Sequence, residues 1–416
     1  MQNNIIHVPN QKRIAALAIT AALTLSGPAF AAASNNVTLY GQANVSYDTI
    51  NTGSSSGSGS VQGITSSRLA SNSSHIGLKG FSELGSSWKA IFQAEVSLGT
   101  DTGASGCQVP DTGTPTKSSR WKCFFDRNTY LGLSSIDYGT LLAGRHDTPY
   151  KMATRRLDVF ADGIADNRSL MGTTIAAGVV TETFDARLSN LMLYMSPSFG
   201  SFSMSVGYSN LTESNTYYDQ PSGSAVSVAG MYEQGAVYAT FAYEDHTTRL
   251  KDVSTTIKAT KLGLGYKLGI LDLGFVYEKS RDDFGNLNPY DPDPSSITYN
   301  PCGGIQDGAN CSGHGTLYFS ANFHFTDKDA VKIALTKARQ VGPANSNTSA
   351  SQFAAGLDHD FNERTAGYFL YTLLRNDKLV RYGLSTASSS GDNSVNPTGT
   401  GGAGPAAFSI GVRHSF

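Results

Sequence analysis

Past residue 33 the chain has no apolar stretch approaching the roughly 20 residues that a membrane-spanning helix needs, and its mean hydropathy is −0.21. A bundle of spanning helices is thereby excluded for this part of the chain. Charge is also scarce: Asp, Glu, Lys and Arg make up 15% of the residues and the formal net charge is −2 at pH 7, too weak a field to imply nucleic acid as a partner. Cysteine is limited to four, with Cys107 and Cys123 in one polar stretch and Cys302 and Cys311 in another. Each pair is close in sequence and lies between strand signals, so two local loop disulfides are the simple reading in an oxidising compartment. A zinc site is disfavoured, because no further cysteine follows at the short spacing of metal knuckles and His314 stands alone.

What the chain does have is Gly 44, Tyr 20 and Phe 20, a composition of many short strands, tight turns and aromatic belts. Strict alternation runs to the last residue, with Phe408, Ile410, Val412, His414 and Phe416 on one side and Ser409, Gly411, Arg413 and Ser415 on the other. A strand with one greasy face and one wet face is the unit of a β-barrel in a bilayer, where only every second residue meets lipid. The start of the chain agrees with that destination. Lys12 and Arg13 precede an apolar run from Ile14 to Leu25, and the small residues Ala29-Phe30-Ala31-Ala32-Ala33 follow. This is the form of a secretory signal, and we read residues 1–32 as a signal peptide and 33–416 as the mature barrel. Loss of Lys12 and Arg13 takes the net charge from −2 to −4.

Alternating runs can be laid along the whole mature chain. Val37, Leu39, Gly41, Ala43 and Val45 open the series, His75 to Phe81 continue it, and Trp88, Ala90, Phe92, Ala94 and Val96 return after the turn Glu83-Leu84-Gly85-Ser86. Further strands are read near 125–136, 139–147, 187–196 and 202–210. Short turns alternate with long polar connections at Gly99–Lys122, Asp147–Asp185, Thr212–Ser224, His246–Ser254, Asp282–Gly315, Gly342–Ser349 and Asn376–Gly404. The pattern predicts an all-β fold, a transmembrane antiparallel barrel of about sixteen strands with short turns on one rim. Such a barrel is wide enough to leave an aqueous lumen.

A hollow barrel of that width needs something to narrow it. The connection spanning about 147–185 carries Arg155, Arg156, Asp158, Asp162 and Asp166. Folded inward, its acids would face basic wall residues and set a field across the narrowest point.

Several segments occur here in a recognisable order: Val37-Thr38-Leu39-Tyr40-Gly41, Ser74-His75-Ile76-Gly77-Leu78-Lys79-Gly80, Lys89-Ala90-Ile91-Phe92-Gln93-Ala94-Glu95, Arg127-Asn128-Thr129-Tyr130-Leu131-Gly132-Leu133, Gly144-Arg145 and Tyr194-Met195-Ser196-Pro197. In that order they resemble the general diffusion porins of Gram-negative outer membranes, above all the β-proteobacterial type. The resemblance implies a homotrimer of sixteen-stranded barrels in the cell outer membrane, each with its third loop folded into the lumen, and passive diffusion of inorganic ions and small polar solutes. It also implies contact with outer-membrane lipid and lipopolysaccharide, and Phe416 as the signal read by the barrel-assembly machinery. By the same resemblance Arg127 and Arg145 match wall arginines of the constriction, His75 and Lys79 stand where the family has two arginines, and Asp158, Asp162 and Asp166 lie in the loop of opposing acids.

Three departures bear on this. A histidine at position 75 is mostly neutral at pH 7, which weakens the basic wall. Arg127 shares parity with the outward Leu131 and Leu133, so it reaches the lumen only through a bulge or at the rim. Leu193 and Met195 stand where the family is polar, so either the register differs or the lumen has an apolar patch.

Other functions weigh less. Ser320, His324 and Asp327 supply hydrolase residue types, yet eight scattered histidines make such coincidences cheap, and no enzyme is expected. Inward Tyr40, Tyr130 and Tyr318 are too sparse for the aromatic ladder of a substrate-specific channel. Asp282, Asp283, Asp291 and Asp293 offer oxygen ligands for calcium, but such a cluster is more often a solvated loop. No metal or cofactor is expected.

Overall fold

The computed structural model describes residues 35–55, 61–101, 125–176, 179–182, 184–210, 222–250, 253–282, 315–339, 347–378, 380–384 and 401–416. Residues 1–32, read above as a signal peptide, the four cysteines and Asp283, Asp291 and Asp293 lie outside these residues. In chain order the strands are β1 Asn35–Asn51, β2 Thr65–Ser71, β3 His75–Glu83, β4 Trp88–Ser97, β5 Thr129–Ser135, β6 Gly139–Asp147, β7 Thr173–Ala176, β8 Val179–Glu182, β9 Arg187–Met195 and β10 Phe202–Asn210. They continue as β11 Ser222–Gln234, β12 Val237–Leu250, β13 Val253–Leu268, β14 Leu271–Asp282, β15 Gly315–His324, β16 Asp329–Ala338, β17 Ala350–Asn362, β18 Thr365–Asn376 and β19 Ala406–Ser415.

β2 and β3 are two arms of one barrel strand, since both pair antiparallel with β1. Their junction breaks at 72–74, where Ser73 takes a left-handed φ of 54°. Ser74 repairs the ladder there: its Oγ accepts from the Asn44 N–H at 2.9 Å and donates to the Asn44 carbonyl at 3.0 Å. With β7–β8 set apart as a small hairpin, sixteen antiparallel strands remain, and β1 pairs with β19 to close the barrel. Closure leaves no open edge and satisfies every ladder hydrogen bond internally, as a lipid surround demands.

Phe416 completes that seam. Its N–H donates to the Gly41 carbonyl at 3.0 Å and its carbonyl accepts from Gly41 N–H at 3.1 Å. A Cβ at Gly41 would lie 2.4 Å from the Phe416 ring, so the glycine makes room for the terminal aromatic.

Exposure follows the sequence alternation. Phe319, Phe408, Ile410 and Val412 point outward, while Tyr318, Ser320 and Ser409 are buried inside. Across strands the outward rings pair, as Phe275 does with Phe319 at 4.9 Å between centroids, a favourable cross-strand contact. At the short-turn rim Trp88 stacks on Tyr138, and Phe202 leans on Tyr232, in the manner of an interfacial belt. Phe319 is 52% exposed in mid-strand, so Phe319→Arg should cost roughly 2–4 kcal/mol of folding stability in lipid. A reversible refolding titration into bilayers checks this, and an unchanged midpoint would contradict the outward placement.

Two stretches differ from the sequence reading. His246–Ser254 is not a long loop: pairing runs on to Arg249↔Ser254 and Leu250↔Val253, with Thr247 and Thr256 hydroxyls 2.9 Å apart across the strands. β-branched threonines make good strands, but polar strand ends carry no apolar alternation to mark them. The strand read from 125 is in the ladder only from Thr129. Phe125 takes a φ of 66° and the Asp126 carboxylate accepts the Ser97 N–H at 2.8 Å, which together lift 125–128 out of register.

Candidate functional site: the lumen constriction

The chain leaves β6 at Asp147 and turns into the barrel. Helix α1, Pro149–Arg155, starts with Thr148 accepting the Lys151 N–H at 3.3 Å and with proline in its first turn, both favoured start signals. Beyond the helix the loop lies in seats where the wall has no side chains. A Cβ at Gly263 or Gly265 would come within 2.9 Å of the Leu157 side chain, and one at Gly356 within 2.9 Å of the Phe160 ring. Polar wall groups fasten the same stretch. The Tyr238 hydroxyl donates to the Ala153 carbonyl at 2.5 Å, Ser320 Oγ to the Leu157 carbonyl at 2.9 Å, and the Tyr318 hydroxyl to Asp158 Oδ1 at 2.9 Å. Ile164, Leu170 and Met171 are buried with Leu370 and Leu374 of β18. The main apolar core of the protein is therefore between this loop and the inner wall.

The open question at strand β9 is settled by burial. Leu191 and Leu193 face inward and pack with Leu142, Tyr130 and Met152, while Met192 and Tyr194 are exposed outside. The lumen has an apolar patch, and the α1 helix covers it.

Within the loop the acids gather on the loop's own arginines. Arg155 reaches Asp162 at 2.7 Å, Asp166 at 2.8 Å and Asp158 at 3.6 Å. Arg168 grips Asp166 through two bonds of 3.1 Å. The Asp158 and Asp166 side chains are buried, whereas that of Asp162 is 42% exposed. Asp162 Oδ1 also accepts from Ser73 Oγ at 3.1 Å, so the loop reaches the β2–β3 junction across the lumen. Burial, together with the charge of Asp166, pushes the Asp158 carboxyl up to about 6 against the pull of Arg155. Burial acts the same way on Asp162, but Arg155, Arg168 and Arg127 outweigh it and hold that carboxyl below its usual range.

On the facing wall Lys79 is exposed, its Nζ 4.9 Å over the Tyr40 ring. His75 Nδ1 lies 2.7 Å from the Ser73 carbonyl, and its Nε2 3.9 Å from Glu95. Arg127 reaches the lumen because 125–128 have left the ladder, and there its Nε is hydrogen-bonded to Glu95. Tyr40 donates to the same carboxylate at 2.7 Å. Glu95 was readable as inward from its parity with Gln93, yet its role was missed; an acid of inward parity beside a row of wall bases is the signal that marks it.

Arg145 and Arg156 are placed elsewhere. Arg145 donates to the Asp126 carbonyl at 2.7 Å and to Ser189 Oγ at 2.8 Å. Arg156 forks onto Glu233 at 2.7 and 2.9 Å, 4.3 Å over the Tyr238 ring. Ser320 is committed to Leu157, and His324 turns to Asp272 at 3.4 Å, so these two do not meet as nucleophile and base.

Known proteins resemble this chain over most of its length. The family model described as Gram-negative porin matches residues 15–379. The outer membrane porin protein 32 of Delftia acidovorans is 26% identical over 98% of this chain and 100% of its own length. The structure of an anion-selective porin from Comamonas acidovorans overlays with a TM-score of 0.65 at 21% identity, covering 92% of this chain and all of that one. OmpT of Vibrio cholerae in its trimer form gives 0.60 at 14% identity, over 92% and 99% of the two chains. These findings point to a channel rather than an enzyme. With a closed sixteen-stranded barrel and a match over most of its length, the chain belongs to the Gram-negative porin family, whose members sit in the outer membrane as passive diffusion channels.

Proposed function

We propose that this outer-membrane porin filters ions and small hydrophilic solutes where Lys79, Arg127 and His75 face Asp162 and Arg155 across the lumen. The observation that carries this is the bond from Ser73 to Asp162, which brings the loop's exposed acid to the wall that holds the bases. Transverse charge at a narrow, low-dielectric section discriminates among permeating ions. Four cations there, Lys79, Arg127, Arg155 and Arg168, stand against four carboxylates, Glu95, Asp158, Asp162 and Asp166. The balance supports weak charge selectivity near neutral pH, in contrast to the relative named as anion-selective.

Asp158 gives that balance a pH dependence. A carboxyl raised to about 6 takes up a proton as pH falls through that value, leaving one positive charge in excess. In a His75→Gln background, which removes the wall imidazole, the reversal potential should move towards anions between pH 7 and pH 5. Adding Asp158→Asn should abolish the step, and a step that persists would contradict the assignment.

Residues 1–32 serve as the export signal in this reading, Phe416 as the assembly signal, and lipopolysaccharide and lipid as the surround. Three barrels associate, by analogy with the trimeric relative. Liposomes carrying the purified protein should swell in small sugars and progressively less as sugar size grows. Swelling confined to one solute would instead favour a substrate-specific channel.

A further inference from the structure

We propose that Glu278 is a positioning residue for the pore: from the wall, its carboxylate clasps both ends of the constriction loop and thereby fixes the open width of the lumen. The inference rests on the diffusion-pore reading above. Glu278 stands on β14 and is 1% exposed. The hydroxyl of Tyr150, in the first turn of α1, donates to its Oε2 at 2.8 Å. The N–H of Gly172, where the loop turns into the β7–β8 hairpin, donates to its two oxygens at 2.8 and 3.1 Å. One carboxylate therefore ties residue 150 to residue 172, and Arg155, Asp158, Asp162 and Asp166 lie on the stretch between them.

Neighbouring β13 extends the clasp. Lys261 is 3.4 Å from Glu278 Oε2 and is paired with Asp185, at the point where the chain returns to the wall. Its Nζ also lies 4.4 Å over the Tyr150 ring, which packs on Phe184. Gly172 is built for its part. It takes a φ of +68°, and a Cβ there would lie 2.8 Å from the Phe184 carbonyl, so glycine lets its N–H point at the carboxylate. The middle of the loop is seated by Leu157 and Phe160 against wall glycines and by single hydrogen bonds from wall hydroxyls; the Glu278 carboxylate adds charge-assisted, directional bonds at two further points. Losing a buried hydrogen bond to a charged group raises the population of the released state about tenfold or more.

The test uses the full chain purified from outer membranes and recorded in planar bilayers. Glu278→Gln, running as a folded barrel on gels, should show severalfold larger open-channel current fluctuations and close at lower voltage. Tyr150→Phe, which alters the loop and leaves the wall intact, should do the same to a smaller extent. The double variant should be no worse than Glu278→Gln alone, because both act through one clasp. Unaltered fluctuations and closing voltage in a folded Glu278→Gln would overturn the proposal, as would full additivity in the double variant. Should Glu278→Gln fail to fold, a Tyr150→Phe trace identical to the unaltered protein overturns it equally. Absence of any channel in the unaltered protein would overturn the pore reading itself, and the clasp with it.

Discussion

Lys79→Glu should turn the pore towards cations and Asp162→Lys towards anions, and these should be the largest selectivity changes of any single wall or loop substitution. Lys79 is exposed to the lumen and, among the described residues, lies over the Tyr40 ring and is not ion-paired with a carboxylate, and Asp162 is the exposed acid of the loop cluster. Each substitution changes the local charge by two. For an ion passing about 5 Å away, Coulomb energy per unit charge runs from about 1 kcal/mol in bulk water to about 3 kcal/mol at an intermediate dielectric. That is about tenfold or more in relative permeability, read as a shift in zero-current potential across a potassium chloride gradient. The shifts should shrink in concentrated salt, where the screening length falls to about 3 Å. Arg145→Gln, by contrast, should move the potential little, because its guanidinium is committed to Asp126 and Ser189. Equal shifts at positions 79 and 145 would contradict the geometry.

The second large effect is expected at Arg155. This one side chain is ion-paired with three carboxylates, two of them buried. Removing one partner from a buried ion network costs about 3–5 kcal/mol, since the remaining charges have no replacement solvent. Arg155→Ala should therefore release the middle of the loop while the barrel ladder stays intact. The size limit in liposome swelling should rise, and amide exchange should accelerate over 156–171 without change in the strands. Arg155→Lys should rescue only in part, because a compact ammonium on a flexible stem lacks the planar fork whose separate nitrogens reach Asp162 and Asp166. An unchanged size limit in Arg155→Ala would show that the loop is held by its contacts with the wall and not by its internal ion network.

The barrel was legible because its rule is local. Lipid asks only that alternate residues be apolar, and Leu317, Phe319 and Ala321 or Phe408, Ile410 and Val412 meet that rule within a single strand. The polar extensions around Thr247 and Thr256 were not legible, since beyond the lipid nothing requires alternation. The loop acids could be named from charge density, but not their partners. Arg155 bonds to Asp162 and Asp166 only because the chain after α1 coils back on itself, and Asp162 adopts a left-handed φ of 64° to do so. Arg127 illustrates the same limit: parity placed it outside, and a backbone departure at 125–128 returned it to the lumen. Glycines 263, 265, 274 and 356 read as ordinary sheet glycines in one dimension. Only their proximity to Leu157 and Phe160 shows that they are seats for the loop.

The most direct test of the account is single-channel recording of the mature protein, purified from outer membranes, in a planar bilayer under a potassium chloride gradient. We expect large ohmic steps arriving in threes, with a small reversal potential near pH 7 that moves towards anions on acidification. Silence, or a current blocked by low concentrations of a single solute, would contradict an open diffusion pore narrowed between Lys79 and Asp162.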